Sequence, residues 1–79
     1  MSNIERFTNN FRIIIASLPY RKNCVCEIYY NQEQWVEISQ EGAEVIIQFF
    51  APMSKEYWEF PLETALEVLQ KAKQRFLEK

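Results

Sequence analysis

The chain predicts a two-layer α+β domain: an antiparallel β-meander of three to four strands, with an N-terminal and a C-terminal helix on one face (α-β-β-β-β-α). Three observations predict it. Residues 24–60 alternate at period two, the signature of half-buried strands. Residues 61–78 repeat apolar side chains at three and four, the signature of an amphipathic helix. The links between strands are short, so neighbours should pair antiparallel. Seventy-nine residues hold one domain, 1–79, with no room for a second core.

The N-terminal stretch 3–18, NIERFTNNFRIIIASL, reads as a helix. Ile4, Phe7, Phe11, Ile14, Ile15 and Leu18 make one stripe, with Arg6, Asn9, Asn10 and Arg12 off it. Ser2 or Asn3 can cap its start, and Pro19 ends it by restricting Leu18. The run Ile13-Ile14-Ile15 also suits a strand.

The meander follows. In its first strand Cys24, Cys26, Ile28 and Tyr30 share one face, and Val25, Glu27 and Tyr29 the other. In the second, Val36 and Ile38 oppose Trp35, Glu37 and Ser39. The third, Val45 to Phe50, is apolar on both sides, with Gln48 beside Ile46 and Phe50. A short fourth, 57–60, sets Trp58 and Phe60 against Tyr57 and Glu59. One face, marked by Ile28, Ile38, Ile47 and Trp58, is a core on which both helices should pack. The other collects Glu27, Tyr29, Trp35, Glu37, Gln48, Phe50, Tyr57 and Glu59, an acidic and aromatic surface left uncovered. Asn31-Gln32 marks one hairpin, and Gly42 offers the positive φ of a tight turn at another. In the last helix Pro61 suits the first turn, and Leu62, Ala65, Leu66, Leu69, Ala72 and Phe76 form the stripe, with Leu77 at its margin.

Charge is unevenly spread. Residues 1–22 sum to +3 (Arg6, Arg12, Arg21 and Lys22 against Glu5). Residues 23–60 sum to −6, seven glutamates against Lys55, and 61–79 sum to +1. An acidic sheet repels phosphate, so nucleic acid is not expected there, whereas a basic protein partner would be drawn in. Aromatics at 15% exceed what one small core easily hides. Cys24 and Cys26, two apart on one strand, read as small buried hydrophobes in a reducing compartment. With no signal-peptide pattern at the N-terminus and no apolar run of spanning length, a soluble cytoplasmic protein with no membrane partner is expected.

An inventory argues against catalysis. The chain has neither histidine nor aspartate, so its serines and cysteines lack an imidazole base, and no glycine-rich phosphate loop or metal-ligand spacing occurs. Glu27 and Glu37, as cross-strand neighbours, are the one carboxylate pair with acid–base potential, but solvated strand carboxylates that keep a sheet soluble are the plainer reading. No enzyme, cofactor or metal is expected. The aromatics of the uncovered face either stabilise cross-strand pairs or anchor a partner. In the second case Trp35, Tyr29 and Tyr57 are the anchors, and Glu27, Glu37 and Glu59 the charge partners.

The strand ending E-I-Y-Y, the W-V-E-I-S-Q-E-G hairpin and the W-E-F-P-L entry to a K-A-K-Q-R-F helix give residues 19–79 a resemblance to small bacterial immunity proteins. These are the cognate antitoxins of polymorphic toxins, contact-dependent growth inhibition systems among them. The resemblance implies a cytoplasmic protein that binds one toxin domain and blocks its active site or its assembly. Such toxins are often nucleases, whose basic clefts suit an acidic binder. A homodimer joined through its open sheet or edges, and an accessory or chaperone-like module for a secreted effector, are the alternatives. A small-molecule enzyme stands behind both.

Overall fold

Ile13, Ile14 and Ile15 decide the N-terminal half. Three successive β-branched residues lose rotamer freedom in a helix and pack well on a pleated surface. In the computed structural model, which describes residues 4–7 and 10–78, they lie in a strand. The order is β1 (Ile4–Phe7), β2 (Phe11–Ala16), β3 (Val25–Tyr30), β4 (Glu33–Ser39), β5 (Ile46–Phe49) and α1 (Leu62–Glu78). All five strands pair antiparallel with their sequence neighbours in one sheet.

The predicted α-β-β-β-β-α layout is therefore corrected to five strands and one helix. Among the described residues the expected helix over 3–18 is absent, and its parts outside the description are residues 3, 8 and 9. The reason is local. Asn10 takes φ 72°, a left-handed conformation that no right-handed helix passes through, and it reverses the chain between β1 and β2. The apolar stripe read at helical spacing was a strand alternation: Phe11 and Ile13 are buried while Arg12 between them is not. The expected fourth strand over 57–60 is also absent, because residues 51–61 cross the end of the sheet without pairing to it.

The C-terminal helix starts at Leu62, one residue after the expected Pro61. Pro61 stands just before α1, and its carbonyl accepts the Ala65 amide at 3.1 Å. The buried stripe is Val68, Ala72 and Phe76, flanked by Ala65 and Leu69. Leu62, Leu66 and Leu77, expected in the stripe, are exposed. The helix packs over β2 and β3 near one side of the sheet, which turns Leu66 and Leu77 past the core.

The core lies between α1 and the face carrying Phe11, Ile13, Cys26, Ile28, Val36 and Ile38. One end is aromatic: Phe11, Tyr30, Trp35, Trp58 and Phe60 meet with centroids 4.9–6.4 Å apart. Trp58 and Phe60 thus pack on the core side without a strand to hold them. The Trp58 indole N–H donates to the Phe50 carbonyl at 2.6 Å, and Glu33 accepts from the Met53 amide at 2.6 Å and from the Ser54 hydroxyl. Gly42 does not use a positive φ; Asn31, at φ 56°, takes that role in the β3–β4 turn. Cys26 is buried, with its Sγ donating to the Ala72 carbonyl at 3.8 Å, but Cys24 is exposed ahead of β3, and neither forms a disulfide among the described residues. No helix among the described residues is long and apolar enough to cross a membrane.

Candidate functional site

The sheet face opposite α1 is built row by row from the register. Ile14, Glu27, Glu37 and Gln48 align across β2 to β5 in one row. Arg12, Tyr29 and Gln34 align in the next. Glu27, Tyr29, Glu37 and Gln48, four of the residues expected on this face, therefore do come together.

Trp35 does not join them, and a β-bulge is the reason. Ile28 pairs with Val36, yet the next residue of β3, Tyr29, pairs with Gln34. Trp35 is the extra residue of β4, and the one-position slip carries its side chain to the other face. There it is 5% exposed and tilts against Phe11, Phe60 and Phe49. The expectation of an exposed Trp35 anchor is corrected to a core residue. Phe50 lies one position beyond β5 and is tied down through its backbone: its amide donates to the Trp35 carbonyl at 2.9 Å. Tyr57 (63% exposed) and Glu59 lie in the 51–61 crossing segment, in no strand of the open face.

Two arginines absent from the predicted face complete it. Arg21 comes from the β2–β3 connection and lies over the sheet. Its guanidinium donates to a Glu37 carboxylate oxygen, to Gln48 Oε1 at 3.1 Å and to Ser39 Oγ at 3.4 Å. The connection is held there by Asn23 Nδ2 donating to the Gln40 carbonyl (2.8 Å) and by the Lys22 amide donating to Glu41 (3.1 Å). Glu37 (4% exposed), Ser39 and Val25 are buried beneath this cover. Arg12 stacks its guanidinium 5.2 Å from the Tyr29 ring centre and donates to the Asn31 carbonyl at 3.2 Å. The acidic sum over 23–60 does not reach this surface intact, since both cations come from outside that segment.

Among the described residues, Glu27 is left on this face without a cation. Glu27 is half-buried beside Glu37, and the Tyr29 hydroxyl donates to its Oε1 at 3.4 Å. Burial, and then the Glu37 charge, hold its pKa above the ordinary carboxylate value, against the Tyr29 hydrogen bond. Burial and the Glu27 charge likewise raise the Tyr29 phenol, partly offset by Arg12. Among the described residues only Glu37 forms a salt bridge to Arg21, and no group of three or more acidic, cysteine or histidine side chains is placed to hold a metal.

Arg12 had a legible signal: as a strand, Phe11, Ile13 and Ile15 in phase put Arg12 on the face of Tyr29. Arg21 had an indirect one. A carboxylate in the middle of a paired strand, as Glu37 is, attracts a cation where one is within reach, and the β2–β3 connection carries two, Arg21 and Lys22.

No family model, no curated protein and no solved structure matches this chain.

Proposed function

We propose that this protein works by binding another protein, and that a cationic side chain of the partner docks on the open sheet face at Glu27. The observation that supports this is the half-exposed Glu27 carboxylate, which sits beside a second carboxylate whose own cation is already committed. An arriving Lys or Arg would relieve the Glu27–Glu37 repulsion and gain a charge-assisted hydrogen bond, a strong contact for its size. Tyr29, with its ring clamped by Arg12, supplies the amphipathic surface common at interface centres. The contact is one residual negative charge within a mixed surface, a narrower basis for recognition than a broad acidic field.

Within that reading the immunity-protein resemblance gives the partner class, a bacterial toxin domain with a basic surface. We therefore propose a toxin-neutralising binder with no catalytic step, its interface centred on Glu27 and Tyr29 and bordered by Gln34 and Gln48. The test is co-expression with the C-terminal domain of a secreted protein encoded directly upstream. The chain should restore growth and Glu27→Lys should not, although it folds. Equal protection by Glu27→Lys would reject the site, and a neighbourhood without such a toxin would reject the class.

A further inference from the structure

β5 is an edge strand of unusual composition. Natural sheet edges are guarded by charges, prolines or bulges that prevent pairing with another chain. From Val45 to Ser54 this chain carries no charged residue, and β5 itself reads Ile-Ile-Gln-Phe. Each of its four residues is exposed, as are Val45 and Phe50 on either side. The opposite edge differs, because β1 holds Glu5 and Arg6 within four residues.

The backbone of β5 is polarised as well. The Phe50 amide points inward to the Trp35 carbonyl, so by alternation the amides and carbonyls of Ile47 and Phe49 point away from β4. Beside this edge, on the α1 side, lies a mostly apolar groove of about 290 Å³ lined by Ile38, Val45, Ile47, Leu69, Phe76 and Leu77, with Lys73 as its one charged residue.

We propose that the free edge of β5 pairs with β5 of a second copy of this chain, antiparallel and centred on Gln48, so that the two sheets become one. The outward groups of Ile47 and Phe49 require this parity, with Ile47 opposite Phe49 of the other copy in both directions. On the α1 side each Phe49, 61% exposed, then stands beside the other copy's Ile47, at the mouth of the groove. On the open side Ile46 meets Phe50, and Gln48 meets its own copy at the two-fold axis. No ionisable residue faces another across the seam, so the register carries no repulsion. A two-fold arrangement uses each groove once and closes, leaving no edge for further growth on that side. It sets the two Glu27 faces on the same side of a continuous sheet. The two surfaces share Gln48 at their border, but loss of the seam leaves Glu27 and Tyr29 in place, and loss of the Glu27 site leaves the Ile47 and Phe49 edge.

Sedimentation equilibrium of the wild-type chain at micromolar concentration should give a dimer, and Phe49→Lys should weaken self-association at least tenfold. Hydrogen exchange on the wild type needs no variant: the Ile47 and Phe49 amides should be protected in the dimer. A covalent check is Gln48→Cys in a Cys24→Ser background. The paired Cα atoms would lie roughly 4.5 Å apart, within disulfide reach, so mild oxidation should link two chains. A wild-type monomer throughout that range, or a dimer whose Ile47 and Phe49 amides exchange freely, overturns the proposal.

Discussion

Replacing Arg21 by alanine removes the one cation that Glu37 touches among the described residues and leaves a carboxylate buried beneath the β2–β3 connection. The Arg21 and Glu37 side chains are 19% and 6% exposed, so the pair is close to buried without being sealed. Breaking a fully buried pair from one side costs about 3–5 kcal/mol; partial access to water lowers the expectation here to about 2–3 kcal/mol. For a domain of this length that is a drop of roughly 10–20 °C in Tm, out of a total stability on the order of 4–12 kcal/mol. Thermal and urea unfolding followed by circular dichroism read it directly. The pH dependence gives a second check. In Arg21→Ala, Glu27 and Glu37 repel without relief, and protonating Glu27 removes that repulsion. The loss should therefore be fully present at neutral pH and shrink as pH falls into the carboxylate range. The double variant Arg21→Ala with Glu37→Gln should recover part of the loss. A drop below about 0.5 kcal/mol would place Arg21 among ordinary surface ion pairs and refute the covered-face description.

Three further outcomes follow from the same geometry. Trp35→Ala should cost about 3–5 kcal/mol, a large share of the total stability, whereas an exposed anchor would lose almost nothing; a chemical denaturation midpoint separates the two. Glu27→Gln should stabilise by about 0.5 kcal/mol at neutral pH, because it removes a like-charge cross-strand pair. The folded-state pKa of Glu27 is raised, so its ionisation opposes folding above the ordinary carboxylate value, and the variant's advantage should fade as pH falls below it. Glu33 is the reverse case: hydrogen bonds from Ser54 and Met53 lower its pKa, so its contribution is present at neutral pH and lost as pH falls through that lowered value. Glu33→Gln should speed proteolytic cutting within 51–57 while leaving the α1 amides protected, and unchanged cutting would show that the segment is held by Trp58 and Phe60 alone.

The sheet and the last helix were readable because their periods are strong and their boundaries chemically marked. Cys26, Ile28, Val36 and Ile38 fell on the core face by simple alternation, and Pro61 marked the helix start. The N-terminal half misled because Phe7, Phe11, Ile14, Ile15 and Leu18 satisfy helical spacing while Phe11, Ile13 and Ile15 satisfy strand spacing. The β-branched run and the left-handed Asn10 decided in favour of the strand. The site was half legible for a related reason. Phase carries Glu27, Tyr29, Glu37 and Gln48 to one face, and a single bulged residue removes Trp35 from it. No spacing rule announces a bulge, because its cause is tertiary: the Trp35 ring fills the aromatic end of the core against Phe11 and Phe60. The cover by Arg21 is equally non-local, joining a connection to strands about 16 to 27 positions away in the chain.

The proposed docking of a partner's cation at Glu27 can be read residue by residue. Amide and side-chain chemical-shift mapping, during titration with the candidate toxin domain, tests it most directly. The largest changes should fall on Arg12, Glu27, Tyr29 and Gln34 and disappear in Glu27→Lys. Perturbations confined to α1 and the 51–61 segment, with Glu27 silent, would contradict it.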